Sequence, residues 1–239
     1  MTTQPLEPGS ARTRLAAWRF AQLAIFFVLF LLVLPELPHG PVLKLIASFF
    51  LLNSMLVADA TNPHARVFRW SGWGLWTITT LAGVIEETQA PDMLMTKIIG
   101  IGAHTTLILA CAASILTVVF RAGRVTLDAI FASVVAYQLI GLFFAQVYTL
   151  LVVLNPDALH LPDNIPASTE NFQLEMIYFS FVTLATLGYG DILPDTSLAR
   201  SISIIEAIVG QFYVAVVVAV LVSSFVSQKL ADQVSASRD

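Results

Sequence analysis

Thr186-Leu187-Gly188-Tyr189-Gly190-Asp191 is the stretch on which the reading of this chain turns. Two glycines one residue apart allow backbone angles that residues with a Cβ avoid. A strand with that freedom can turn successive carbonyl oxygens toward one axis, where they replace the water shell of a cation. With each fixed residue at roughly 5% frequency, T-x-G-Y-G-D arises by chance in on the order of one chain in ten thousand of this length. Its setting adds weight, because long apolar segments lie on either side of it.

Working outward, residues 155–199 separate the last two apolar runs. Pro156, Pro162 and Pro166, with Asp157, Asp163 and Asn164, mark an extended outer turret. Ser168, Thr169 and Asn171 offer helix N-caps, and Glu170 and Glu175 suit a first turn. The pattern predicts a helix over 172–185, too short to cross a bilayer, whose partially negative C-terminus faces a cation held by the glycine strand. Re-entrant backbone of this kind survives at membrane depth only when buried in protein or lining water.

The run Tyr178-Phe179-Ser180-Phe181-Val182-Thr183-Leu184-Ala185-Thr186-Leu187-Gly188-Tyr189-Gly190-Asp191-Ile192-Leu193-Pro194 resembles the pore-loop potassium channels, whose signature is T-V-G-Y-G. The likeness extends over 137–227, and within that superfamily the chain is similar to small six-helix bacterial channels. The resemblance implies that the carbonyls of Thr186, Leu187, Gly188 and Tyr189, with the Thr186 hydroxyl, form stacked K⁺ sites. It also implies that Gly188 and Gly190 supply inverted backbone, that Tyr189 packs behind as a spacer, and that Asp191 sits at the outer mouth. One chain carries one such loop and a ring needs four, so a homotetramer is expected. Leu187 replaces the usual Val, and Ala185 a common Thr. Val182 stands where some members carry a Glu that shares a proton with the aspartate. In its absence Tyr178 is expected to donate a hydrogen bond to Asp191. Tyr178, Val182, Thr183 and Asp191 are thus the candidate filter supports.

Composition agrees with a membrane setting. The chain has 239 residues, 57% hydrophobic and 12% charged, where soluble domains carry about 25% charged residues. Uncharged runs at 20–35, 45–58, 70–85, 98–120, 129–156 and 207–228 meet or approach the roughly 20 helical residues a bilayer core requires. The shorter ones are extended by interfacial and snorkelling flanks. The expected fold is an all-α membrane protein of six transmembrane helices plus a re-entrant pore helix and filter loop, tetrameric. Its parts are an N-terminal cytoplasmic tail (1–14), a peripheral four-helix region (15–124), a pore domain (125–227) and a cytoplasmic tail (228–239).

With both termini inside, Arg12, Arg14, Arg19, Arg66, Arg69, Arg121, Arg124, Lys229 and Arg238 are cytoplasmic, against Lys44, Lys97 and Arg200 outside. That excess follows the positive-inside rule, and Trp18, Trp70, Trp73 and Trp76 fall near cytoplasmic helix ends. The glycine strand is thereby placed on the outer side, as a multi-pass channel of the cell membrane, here a bacterial inner membrane, requires. The first run lacks a small-x-small cleavage site and reads as an uncleaved span.

A charge at mid-membrane costs about 2.5–3.5 kcal/mol on insertion scales, so ionisable residues in spans need a reason. Glu206 is read either as a structural partner of a pore-helix hydroxyl such as Thr183, or as a gating or proton-sensing group. His104 is read as a packing histidine or a pH sensor. Gly210 is a hinge candidate, with close helix packing as the alternative. The run 98–120 has no Lys or Arg, which argues against voltage sensing through it. Cys111 is the only cysteine, so no intrachain disulfide forms, and no basic cluster points to nucleic acid. No soluble ligand-binding domain is expected in this chain. Hydrolase, zinc-protease and paired-Cys motifs are absent, so no enzyme activity and no cofactor beyond permeant K⁺ is expected. The sequence therefore predicts passive potassium-selective conduction. The alternatives are an ion-conducting subunit of a larger transport system and a weakly selective monovalent cation channel.

Overall fold

Two helices of 28 residues each, α1 (Leu94–Arg121) and α2 (Leu127–Leu154), form the body on which the rest is arranged. At about 1.5 Å per residue each exceeds the roughly 30 Å hydrocarbon core. The computed structural model describes residues 21–29, 73, 74, 76–78, 80, 81, 94–121, 127–162 and 172–236.

The lower part of α2 presents Ala132, Val135, Ala136 and Leu139 to Leu107, Ile108, Cys111 and Ile115 of α1, with Leu23 and Phe27 of the helical residues 21–29 in the same core. Cys111, Ala112, Ala132 and Ala136 keep that seam narrow. Small residues let helix backbones approach where lipid removes any hydrophobic drive for association. The upper part of α2 meets a second core, in which Phe144, Tyr148 and Val152 pack on Phe172, Met176 and Phe179 of α3 (Phe172–Leu184) and on Ala199 of α4 (Ser197–Ala236). Between these regions Gly141 admits the Phe181 ring, which a Cβ at 141 would meet at 2.6 Å.

Beyond α2 a single 3-10 turn, Pro156–Ala158, is capped by Asn155, whose Oδ1 accepts from Asp157 N at 3.2 Å. The chain then pairs β1 (Leu159–His160) antiparallel with β2 (Leu193–Pro194), placing Leu159 opposite Pro194. Asp195 N donates to Ala158 O at 3.0 Å. Residues 158–160 are thus clipped to the strand that follows the glycine stretch.

α3 ends one residue short of the expected helix and, at 13 residues, cannot span. α4 starts at the Thr196 cap, whose Oγ1 accepts from Ala199 N at 3.3 Å. It begins ten residues before the uncharged run at 207 and continues to Ala236, through most of the segment assigned to a tail. Arg200 and Glu206 interrupt the uncharged pattern without interrupting the helix. Lower on α4, the Tyr213 hydroxyl donates to Ser133 O at 2.6 Å and its ring tilts against Tyr137, fastening α4 to α2.

Among the described residues three helices are long and apolar enough to cross a membrane, with spans at Leu94–Thr117, Ala129–Leu154 and Ser197–Val217. They correspond to the fourth, fifth and sixth expected spans. The span expected at 45–58 lies outside the described residues. Those at 20–35 and 70–85 are described only at 21–29 and at 73, 74, 76–78, 80 and 81, which are helical.

Candidate functional site

The glycine strand grows directly out of the end of α3. Thr186 N donates to Thr183 O at 2.9 Å, and Leu187 N reaches back to Val182 O at 2.8 Å. This pair of bonds is a Schellman closure, which satisfies helix-end carbonyls through one left-handed residue. That residue is Thr186, at φ 57. Glycine is the usual occupant, and a β-branched side chain there is strained by on the order of 1–3 kcal/mol. Gln211 of α4 holds it, its Nε2 donating to Thr186 Oγ1 at 3.0 Å. The backbone carbonyls of Val182 and Thr183 therefore accept from the start of the glycine strand, while the Val182 side chain is buried.

Left-handed backbone recurs at Gly188 (φ 60) and Gly190 (φ 80), with Leu187 and Tyr189 between them on the ordinary side. In a regular strand successive peptide groups point to opposite sides. Alternating handedness brings like backbone groups to one side instead, the arrangement a ring of carbonyl ligands requires. Residues 185–191 are all exposed in the single chain. Leu187 is 57% and Tyr189 67% accessible, so this chain alone does not cover its own filter.

Behind the strand, the Tyr178 hydroxyl donates to Asp191 Oδ2 at 2.6 Å, the contact expected in place of a buried Glu. Asp191 Oδ1 also accepts from Ile192 N at 3.1 Å. The Tyr178 bond is the main cause holding the Asp191 carboxyl below its ordinary value. The same bond, ahead of burial, pushes Tyr178 up to about 12. Glu175 is raised by burial first and by the Asp191 charge second. The Tyr189 ring lies parallel to Tyr178, centroids 6.5 Å apart.

Because the folded Asp191 value is depressed, its contribution is present above the ordinary carboxylate value and is lost as pH falls through the lower, folded one. Tyr178→Phe removes the main cause. The pH at which external acid inhibits flux should then rise toward the ordinary 3.8, and loss of conduction during sustained flux should quicken. Flux recorded against external pH checks this, and an unchanged midpoint with unchanged persistence would exclude a support role for the bond.

Glu206 is fully buried. Tyr148 Oη lies 2.6 Å from its Oε2, and Ser180 Oγ lies 2.5 Å from its Oε1. Its hydroxyl partner on α3 is thus Ser180, one turn before the expected Thr183. Ser180 Oγ is also 2.7 Å from Gly141 O. A serine hydroxyl carries one hydrogen and here faces two acceptors. A neutral carboxylic acid resolves the count: it donates to Ser180, Ser180 donates to Gly141 O, and Tyr148 donates to the remaining carboxyl oxygen. The network joins α2, α3 and α4 behind the filter. No ion pair to Glu206 occurs among the described residues.

A Cβ at Gly210 would run into the carbonyl oxygen of Leu184, the last residue of α3, and would stand 3.1 Å from Leu184 Cδ1. Of the two readings of Gly210, the structure describes close packing. Gly210→Ala should lower the thermal midpoint of the detergent-solubilised protein, by the equivalent of about 1–3 kcal/mol, since the obstacle is rigid backbone. A residue needed only for bending would leave that midpoint unchanged or raise it through alanine's better helix propensity. His104 is half-buried on α1 and, among the described residues, bonds neither to the filter nor to Glu206.

Tyr148, Ser180 and Gln211 were not singled out from sequence. Their signal was a polar group inside an apolar helix, which marks interhelical bonding.

Comparison with known families places this geometry. The family described as "Ion channel" matches residues 142–227, from the upper half of α2 through the filter and along most of α4. The chain belongs to the pore-loop ion channel family. The channel is 37% identical to Protein LctB of Bacillus caldotenax over 97 residues, which cover 40% of this chain and 71% of the relative. It is 32% identical to Protein LctB of Geobacillus stearothermophilus over 123 residues, covering 49% of this chain and 89% of the relative. No solved structure matches the channel.

Proposed function

We propose that this channel conducts K⁺ passively and selectively across the cell membrane, as a homotetramer whose four Thr186–Gly190 strands encircle one axis. The observation that carries the reading is the sign alternation of φ along Thr186–Gly190, at 57, 60 and 80 for Thr186, Gly188 and Gly190. Dehydrated cations then pass between adjacent carbonyl sites by knock-on, down their own electrochemical gradient and without catalysis. Six transmembrane helices with both termini cytoplasmic complete the proposed topology.

Assembly is supported by what the single chain leaves bare. Only 17% of the most apolar stretch of α4 is buried within the chain, against 56% for α2. Filter backbone exposed at membrane depth survives only against protein or a water-filled conduit. Three further copies supply both.

Purified full-length protein in liposomes tests the proposal through the reversal potential under opposed K⁺ and Na⁺ gradients. A potential near the K⁺ equilibrium value with barium block is expected. A potential midway between the two ions identifies a weakly selective cation channel, and flux that needs an added partner identifies a subunit of a larger transporter. Either outcome overturns the proposal.

A further inference from the structure

We propose that Gln211 is a positioning and specificity-determining residue that limits how tightly the innermost filter site holds a cation. The inference rests on the channel reading above. It begins from one bond: Gln211 Nε2 donates to Thr186 Oγ1 at 3.0 Å, linking α4 to the foot of the filter. Both residues are exposed in the single chain, on the side where the filter strand is uncovered. Gln211 follows Gly210, whose lack of a Cβ lets α4 approach the end of α3 closely enough for this reach.

A hydroxyl oxygen has two lone pairs. Gln211 occupies one, leaving one for an ion at the Thr186 level. The amide hydrogen also brings the positive end of a dipole next to that ion. Both effects weaken the site, and the weakening grows with ionic charge. Conduction needs sites that bind well enough to admit an ion yet let it leave. Gln211 acts on the second requirement: it disfavours ions that would lodge at the foot of the filter, divalent ions of potassium's size above all. Its amide simultaneously fixes the rotamer of a threonine whose backbone is strained, so the ligand oxygen is held in place while its strength is trimmed.

Barium, close to potassium in size and doubly charged, is the probe. Its affinity is measured by calorimetry on the solubilised full-length protein, so the readout does not depend on conduction. Gln211→Leu should tighten barium binding about fivefold, the worth of one hydrogen bond. In a Thr186→Ala background the same substitution should produce no shift, because the oxygen through which Gln211 acts is gone. Should Gln211→Leu fail to assemble, Gln211→Asn, one methylene too short for the bond, carries the same expectation. Thr186→Val replaces Thr186→Ala on the same terms. Absence of a shift, weaker binding, or an equal shift in both backgrounds overturns the assignment of Gln211. Wild-type protein that neither passes potassium nor binds barium overturns the channel reading itself.

Discussion

Gly188→Ala is expected to abolish potassium flux, by at least about a hundredfold, while leaving the protein folded. Gly188 sits at φ 60 with nothing within 4 Å of where a Cβ would stand in the single chain. The cost is therefore conformational rather than a collision within the subunit. Left-handed backbone costs an L-residue roughly 1–2 kcal/mol, and the proposed fourfold ring multiplies that to about 4–8 kcal/mol for the conducting arrangement. Relaxing the strain returns φ to the negative side and swings a carbonyl off the axis in every subunit. The two hydrophobic cores do not include Gly188, so helix content and thermal midpoint should hold. Gly102→Ala is the matched control, since Gly102 lies within α1, also with nothing within 4 Å, and Ala favours helix there. Liposome flux with circular dichroism on the same preparations checks both. A Gly188→Ala protein that still passes K⁺ with unaltered preference over Na⁺ would remove the carbonyl ring from the mechanism.

Glu206 gives the second large effect, and it divides by replacement. Glu206→Gln should be close to neutral, because an amide reproduces the pattern of a neutral acid, donating to Ser180 Oγ and accepting from Tyr148. Glu206→Ala should cost about 3–5 kcal/mol per subunit. It removes one hydrogen bond from each of two buried hydroxyls, Ser180 keeping Gly141 O and Tyr148 keeping Ser203 Oγ at 3.2 Å, and opens a cavity beside them that supplies most of the cost. Thermal and detergent-denaturation midpoints of the three proteins separate the cases. If Glu206→Gln is as damaging as Glu206→Ala, the carboxyl is ionised in the native state and the proton count around Ser180 is wrong. The two substitutions also separate support from selectivity: Glu206 hydrogen-bonds to Tyr148 and Ser180 and, among the described residues, to none of Thr186–Gly190, so Glu206→Gln should leave the reversal potential unchanged.

The left-handed glycine strand and its helix were legible in sequence because their determinants are local. Glycines at alternate positions, a proline-rich approach and cap residues before an apolar 13-residue stretch fix α3 within one residue of its observed end. The Tyr178–Asp191 bond was also readable, since both residues lie in one continuous stretch whose resemblance to pore loops fixes their relation. What failed depends on angles between helices. Which α3 hydroxyl meets Glu206 is set by how α3 rotates against α4, and Ser180 and Thr183, one turn apart, are nearly equivalent from sequence. The start of α4 was hidden because an uncharged-run criterion stops at Glu206, whose charge the network of Tyr148 and Ser180 makes unnecessary. Gln211 escaped notice because an uncharged amide in an apolar run costs little enough to pass as ordinary helix glue. Its role is visible only once Gly210 brings α4 against the end of α3.

The bonds from Thr186 and Leu187 back to Thr183 and Val182 mean that the glycine strand has no existence apart from the helix that precedes it. Its first peptide groups are the hooks that finish the last coil of α3. A distortion that frays that coil therefore unmakes the strand that the proposed function makes the ion path. Under the proposed function, the shape of the ion path is thus tied to how a short helix stops.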